Sequence, residues 1–268
     1  MPTLDVLGHP TWYTVEGTGD ETVLLLHGGL SNSDALLGSV GGLLGERRRV
    51  AAFDRRGHGR TADTPEAFHY ESMVDETIAV IEHVGGPVHI VGWSDGGIVG
   101  LLLALRRPEL VDRLVVIGTN YHWNVLPDLT GESAGEGALD DPPTAEAEDS
   151  GIVALMAASY AERSPDGPDH FAVVAAKGFH LFGIEPELTS DDLARVSVPV
   201  LVMAGDDDLV PLSHTAAFFA GLPEAQLAIV PGASHALPME HPREVVGLIE
   251  RFLGSDLPPV TMMPIART

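Results

Sequence analysis

Short apolar runs recur along this chain, separated by stretches whose apolar residues fall at helical spacing. Residues 11–16 (TWYTVE) and 22–27 (TVLLLH) predict the first strands, with Gly17, Thr18, Gly19 and Asp20 as the turn between them. Further strands are predicted at 49–53, 88–91, 113–118, 198–204 and 226–230, each rich in Val, Ile, Leu or Ala. A long helix is predicted over 65–84, opening at Pro65, and a closing one over 242–253. Residues 98–104 (IVGLLLA) are apolar nearly all round, which predicts a buried helix. Another helix is expected to start near Asp34, with Asn32 or Ser33 as its cap. Strands alternating with helices at this spacing predict an α/β fold with a mostly parallel, helix-covered sheet.

Residues 119–190 break that rhythm. Residues 128–150 carry eight Asp or Glu and no basic residue, together with several Gly and Pro, which predicts a solvated or mobile segment. Helices are predicted at 151–163 and 168–183. The expected organisation is a core built from 1–118 and 191–268, with 119–190 as a small helical cap over the sheet's carboxyl edge. Leu30, Trp93, Tyr121, Trp123, Phe179 and Phe182 are the candidate pocket residues. The Pro- and Met-rich tail from 254 is expected to pack loosely.

Composition narrows the function. The 268 residues suffice for one large domain, and 44% hydrophobic content fits a globular chain. A formal charge of −24 makes nucleic acid and anionic membranes poor partners. No apolar run approaches the 20 or so residues that span a bilayer, and no signal peptide is recognisable. The absence of cysteine removes disulfides, zinc–thiolate sites and a thiol nucleophile, and fits a cytoplasmic protein. A monomer or homodimer is expected.

The chemistry gathers where predicted strands end. Gly92-Trp93-Ser94-Asp95-Gly96 joins a buried strand to a buried helix, the setting of a nucleophile elbow. There the serine sits on a strained turn, and a Cβ at Gly92 or Gly96 would press on the neighbouring strand or helix. Two glycines end the strand at His27-Gly28-Gly29, so an N–H can point into a site where an acyl oxygen becomes anionic; the backbone of Gly29 and of Asp95 are the candidate donors. His58, in the loop Asp54–Thr61, reads as a loop-structuring residue. Gly205-Asp206-Asp207-Asp208 offers three carboxylates, any of which could orient a histidine, and His235 follows the last strand. The other histidines show no metal-ligand spacing.

Over about residues 11–253 the chain resembles the α/β-hydrolase family. The motifs that carry this are His27-Gly28-Gly29, Asp54-Arg55-Arg56-Gly57-His58-Gly59, the Ser94 elbow, Gly205–Asp208 and Gly232-Ala233-Ser234-His235 in Ser…Asp…His order. The resemblance implies an eight-stranded α/β-hydrolase fold and a triad of Ser94, His235 and Asp208, since the family's acid usually stands three residues after the strand-end glycine. It implies acyl chemistry with no metal or organic cofactor on a small-molecule acyl substrate. Relatives that open epoxides or remove halides carry aspartate where Ser94 stands. Carboxylic ester hydrolysis leads; C–C bond, lactone or amide hydrolysis on the same triad, and a weakly catalytic binding protein, are the alternatives. The elbow is similar to that of valacyclovir-hydrolase-like members, which act on α-amino-acid esters. Asp95 either pairs with a substrate ammonium or merely favours the helix dipole.

Overall fold

The computed structural model describes residues 2–126 and 151–255. The eight strands are β1 (Thr3–Val6), β2 (His9–Gly17), β3 (Thr22–Leu26), β4 (Arg49–Phe53), β5 (Val88–Trp93), β6 (Val111–Ile117), β7 (Val200–Asp207) and β8 (Ala225–Ser234). They form one sheet in the order β1-β2-β4-β3-β5-β6-β7-β8. β1–β2 and β2–β4 pair antiparallel, and all other pairs are parallel. The main helices are α1 (Tyr70–Val84), α2 (Asp95–Arg106), α3 (Gly151–Arg163), α4 (Phe171–Phe182), α5 (Leu212–Gly221) and α6 (Pro242–Gly254).

The apolar runs form strands buried on both faces because each side of the sheet is covered. Along β3 the period of two sends Leu24 and Leu26 into one core cluster and Val23 and Leu25 into the other. β6 repeats this, with Leu114 and Val116 on one face and Val115 and Ile117 on the other. Each such side chain contributes about 1.5–3 kcal/mol by leaving water. α2 has Gly96 to Leu101, Leu103 and Ala104 all buried, as its all-round apolar sequence requires.

The structure departs from the sequence reading in several places. β1 and α5 were not expected. β8 runs through Pro231 and Gly232 to Ser234, so His235 follows the strand directly. α1 starts at Tyr70 rather than at Pro65. Its first N–H is capped from far away: Tyr70 N donates to Glu185 Oε2 at 3.0 Å, while His69 Nδ1 lies 2.7 Å from Glu185 Oε1. At the Asp34 helix, Asn32 supplies the cap, its Oδ1 accepting from Asp34 N at 3.0 Å, whereas the Ser33 hydroxyl is buried without a partner among the described residues. The acidic stretch 128–150 and the tail from 256 lie outside the described residues.

Between β6 and β7 the chain leaves the sheet through α3 and α4, and polar contacts hold these helices to the core loops. Arg163 Nε reaches Asp34 at 2.9 Å, and Asn32 Nδ2 donates to Ser159 Oγ at 2.8 Å. Lys177, the single lysine, and His170 both reach Asp63, at 2.8 and 2.9 Å. Leu30 packs at Gly178, where a Cβ would stand 2.8 Å from Leu30 Cδ2.

Candidate active site

Ser94 occupies the turn between β5 and α2 with φ 53° and ψ −119°. A non-glycine residue tolerates this only when its surroundings over-determine it. Here they do. A Cβ on Gly96 would stand 2.0 Å from Leu26 O of β3, and one on Gly92 would stand 2.3 Å from Gly96 O. Ser94 N donates to Ile117 O at 2.8 Å, and Ser94 O accepts from Gly97 N and Ile98 N, which starts the helix. Of three non-glycine residues with positive φ among the described residues, two lie here: Ser94 and Leu30 (φ 52°).

The three residues named as a triad come together. His235 Nε2 lies 3.1 Å from Ser94 Oγ, and His235 Nδ1 lies 2.8 Å from Asp208 Oδ1. A proton on Nδ1 satisfies the carboxylate and leaves Nε2 to accept from the serine hydroxyl. Asp208 has a fully buried side chain, and its Oδ1 also accepts from Val210 N at 3.0 Å. The other two aspartates differ: Asp206 accepts from Gly232 N at 2.7 Å, and Asp207 is exposed at the end of β7. Gly118, not singled out from the sequence, borders the same pair. At its φ of +57°, a Cβ would stand 2.9 Å from His235 Nδ1 and 3.1 Å from Asp208 Oδ2.

Opposite Ser94, Gly29 lies against Asp95 and Phe182; a Cβ there would stand 2.5 Å from both Asp95 Oδ2 and Phe182 Cζ. The peptide joining Gly28 to Gly29 is held at its oxygen. Gly28 O accepts from Arg55 Nη2 at 3.1 Å and lies 2.7 Å from His27 Nδ1. His27 Nε2 accepts from Arg55 N at 3.2 Å, which puts the ring proton on Nδ1 and makes it the second donor to Gly28 O. Arg55 is among the largest fully buried side chains of the protein. Burial lowers its pKa, opposed by the charges of Asp95, Glu76 and Asp54 and by the Tyr70 hydroxyl. Burial pushes the Asp95 carboxyl up to about 6, against the opposing pull of Arg55, the Tyr70 hydroxyl and His235. Sequence reading missed this buried cation; only its place inside Asp54–Gly59 hinted at it. His58 is buried and held down to about 3 by desolvation and by Arg55; its Nδ1 lies 3.0 Å from Arg56 O, as a loop-structuring residue should.

The expected pocket residues divide. Phe182 reaches Gly29, Phe179 packs edge-on to Phe182 with centroids 6.1 Å apart, and Leu30 contacts α4. Tyr121 stacks on His214 at 4.1 Å, and the Trp123 ring lies 5.8 Å from that of His122. Trp93 packs its ring at Gly28, and its indole Nε1 donates to the His235 carbonyl at 2.8 Å.

The model of the family described as "Alpha/beta hydrolase family" matches residues 23–248. The chain belongs to the alpha/beta hydrolase family. Among relatives of this hydrolase, "Putative carbamate hydrolase RutD" of Variovorax paradoxus is 31% identical over 242 residues, covering 85% of this chain and 90% of that protein. The human serine hydrolase BPHL is 28% identical over 254 residues, covering 90% and 82%. Among solved structures, a serine hydrolase involved in carbazole degradation (CarC) superposes with a TM-score of 0.73 at 24% identity, over 94% of this chain and 97% of that one. The meta-cleavage product hydrolase CumD of Pseudomonas fluorescens gives 0.74 at 22% over the same shares. These structural likenesses show the fold. No helix among the described residues is long and apolar enough to cross a membrane.

Proposed function

We propose that this hydrolase cleaves a carboxylic ester of a small or medium substrate through an acyl-enzyme on Ser94, His235 and Asp208. The observation that carries this reading is the unbroken line from Ser94 Oγ to His235 Nε2 at 3.1 Å and from Nδ1 to Asp208 Oδ1 at 2.8 Å, built on an elbow with positive φ. Ser94 Oγ attacks the acyl carbon while His235 Nε2 takes the hydroxyl proton. The developing oxyanion accepts from the N–H groups of Gly29 and Asp95, each worth about 3 kcal/mol of barrier. Arg55 and His27 act through the peptide: by fixing Gly28 O they aim the Gly29 N–H on its other side. The alcohol leaves with the proton from His235, and water repeats the steps to release the acid.

Asp95 serves in this reading as the partner of Arg55 and Tyr70, buried beneath the site, rather than as a ligand for a substrate ammonium. Helices α3 and α4 serve as the cap, with Phe182 and Phe179 beside the acyl group.

The similarity to proteins named carbamate hydrolases favours a second reading, cleavage of a carbamate or other amide-like bond on the same triad. Lactone and C–C bond cleavage complete the set. A fluorophosphonate probe is expected to label Ser94 and to miss Ser94→Ala. Absence of labelling in the parent would turn the assignment towards a binding protein. Rates on acetate esters, amino-acid esters, carbamates, lactones and ring-cleavage diketones separate the readings, and Asp95→Ala is expected to lower acetate and amino-acid ester rates in parallel.

A further inference from the structure

In the sheet, β6 and β7 lie between β5 and β8, so three strand spacings, about 14 Å, separate the strand that delivers Ser94 from the one that delivers His235. The His235 side chain covers part of that span. Trp93 covers it from the other end, its indole Nε1 donating to the His235 main-chain oxygen at 2.8 Å. The Trp93 ring centroid lies 5.9 Å from that of the imidazole. The same ring backs the end of β3, where a Cβ on Gly28 would stand 3.0 Å from Trp93 Cε3 and Cζ3. One side chain thus touches the nucleophile's strand, the Gly28–Gly29 turn and the histidine loop.

From this geometry we infer that Trp93 is a positioning residue for the His235 imidazole. This rests on the reading of Ser94 and His235 as nucleophile and base. Asp208 fixes the ring through Nδ1, but a ring held at one nitrogen still moves with its own backbone. The loop after β8 is pinned on one side, Ser234 N and Oγ each donating to Glu240 at 2.8 Å. Trp93 pins it on the other, at the carbonyl of the histidine itself. With both ends of His235 anchored, Nε2 stays on Ser94 Oγ, and general-base catalysis is sensitive to displacements well below 1 Å. Among aromatic residues that fit here, only tryptophan brings a ring N–H that donates without also accepting.

Phenylalanine keeps most of the ring and removes the donor, so Trp93→Phe isolates the hydrogen bond. The expected result on an ester substrate is a fall in kcat of about ten-fold, the size expected when a partly buried carbonyl loses its partner. KM should stay within about two-fold, since substrate groups are untouched. Unchanged kcat, or a change confined to KM, would overturn the inference. If Trp93→Phe does not fold, the parent protein decides through the indole N–H signals of its three tryptophans, assigned with Trp12→Phe and Trp123→Phe. The Trp93 indole proton is expected to exchange slowly with solvent and to shift when a phosphonate is attached to Ser94; rapid exchange, or no shift, sinks the proposal. Ser94→Ala abolishes turnover whatever Trp93 does. If Ser94→Ala retained activity, the assignment of the nucleophile would fail while the indole signals still reported on the hydrogen bond.

Discussion

Two sets of charged side chains do different work in this protein. Beneath the Gly28–Gly29 peptide, Arg55 and Asp95 are sealed from solvent with Tyr70, and Arg55 Nε and Nη1 have no hydrogen-bond partner among the described residues. At the seam between the core and α3–α4, Arg163 meets Asp34, and Lys177 with His170 meets Asp63. Asp34 and Arg163 are each more than a third exposed. Exposed pairs contribute little and weaken with salt. A buried ion is neutral to stability only while its counter-charge stays, and removing one partner strands the other. The fully buried charges thus sit beneath the Gly28–Gly29 peptide, and the Arg163–Asp34 pair, inexpensive by its exposure, lies where helices are held.

The largest expected effect lies at the buried carboxylate that meets His235. Asp208→Asn should lower kcat about 10⁴-fold, because the imidazole loses the acceptor that fixes its tautomer, whereas Asp207→Asn at the exposed strand end should change little. Equal losses in the two variants would show that the acid is misassigned. Next, Arg55→Gln should destabilise the fold by about 1–3 kcal/mol in denaturant unfolding, since it removes a buried donor to Gly28 O and the positive charge that opposes the buried Asp95 carboxylate. A loss under about 1 kcal/mol would mean that Asp95 stands neutral and that the two regions do not differ as argued.

Acid separates the regions further. Burial holds His27 well below the usual imidazole range, His58 at about 3 and His214 at about 4. An unfolded imidazole takes a proton near pH 6.5, so the unfolded chain binds more protons than the fold between about pH 6.5 and 3, and stability falls across that window. His58 alone accounts for about 2 kcal/mol at pH 5. Asp95 opposes this: with its folded carboxyl raised to about 6, its contribution is present at low pH and lost as pH rises through 6. Burial also lowers His89 and raises Glu76, so four histidines stand against two carboxylates and the balance is a loss: Tm should drop between pH 7 and pH 5, and a flat or rising Tm would contradict it. The smallest effect belongs to the seam. Arg163→Met should cost under about 1 kcal/mol and show reduced salt dependence. A kcat collapse there would erase the contrast.

Much of this was legible because short-range constraints coincide with chemistry. The Ser94 elbow is written in adjacent residues, and the glycines at 92 and 96 are demanded by backbone at 2.3 and 2.0 Å. The central strands announce themselves as unbroken apolar runs. What escaped depends on distant partners. The start of α1 is fixed by Glu185, 115 residues on, which overrides the local signal of Pro65. β1 is a four-residue antiparallel edge with only Val6 buried, so no apolar run marks it. The places of Arg55, Gly118 and Trp93 beside the site follow from which strand ends meet, and no spacing in the chain states that. The pocket aromatics divided for the same reason: Phe182 and Tyr121 look alike in sequence but pack against different neighbours.

The order of strands also governs when this molecule becomes chemically competent during synthesis. The serine is delivered by a central strand a third of the way along, whereas the imidazole arrives on the edge strand, the last of the sheet to leave the ribosome. On the proposed triad, a growing chain carries a hydroxyl with no base until that final strand docks. Turnover on that triad would report that assembly is complete, and a chain truncated before residue 225 should be hydrolytically silent.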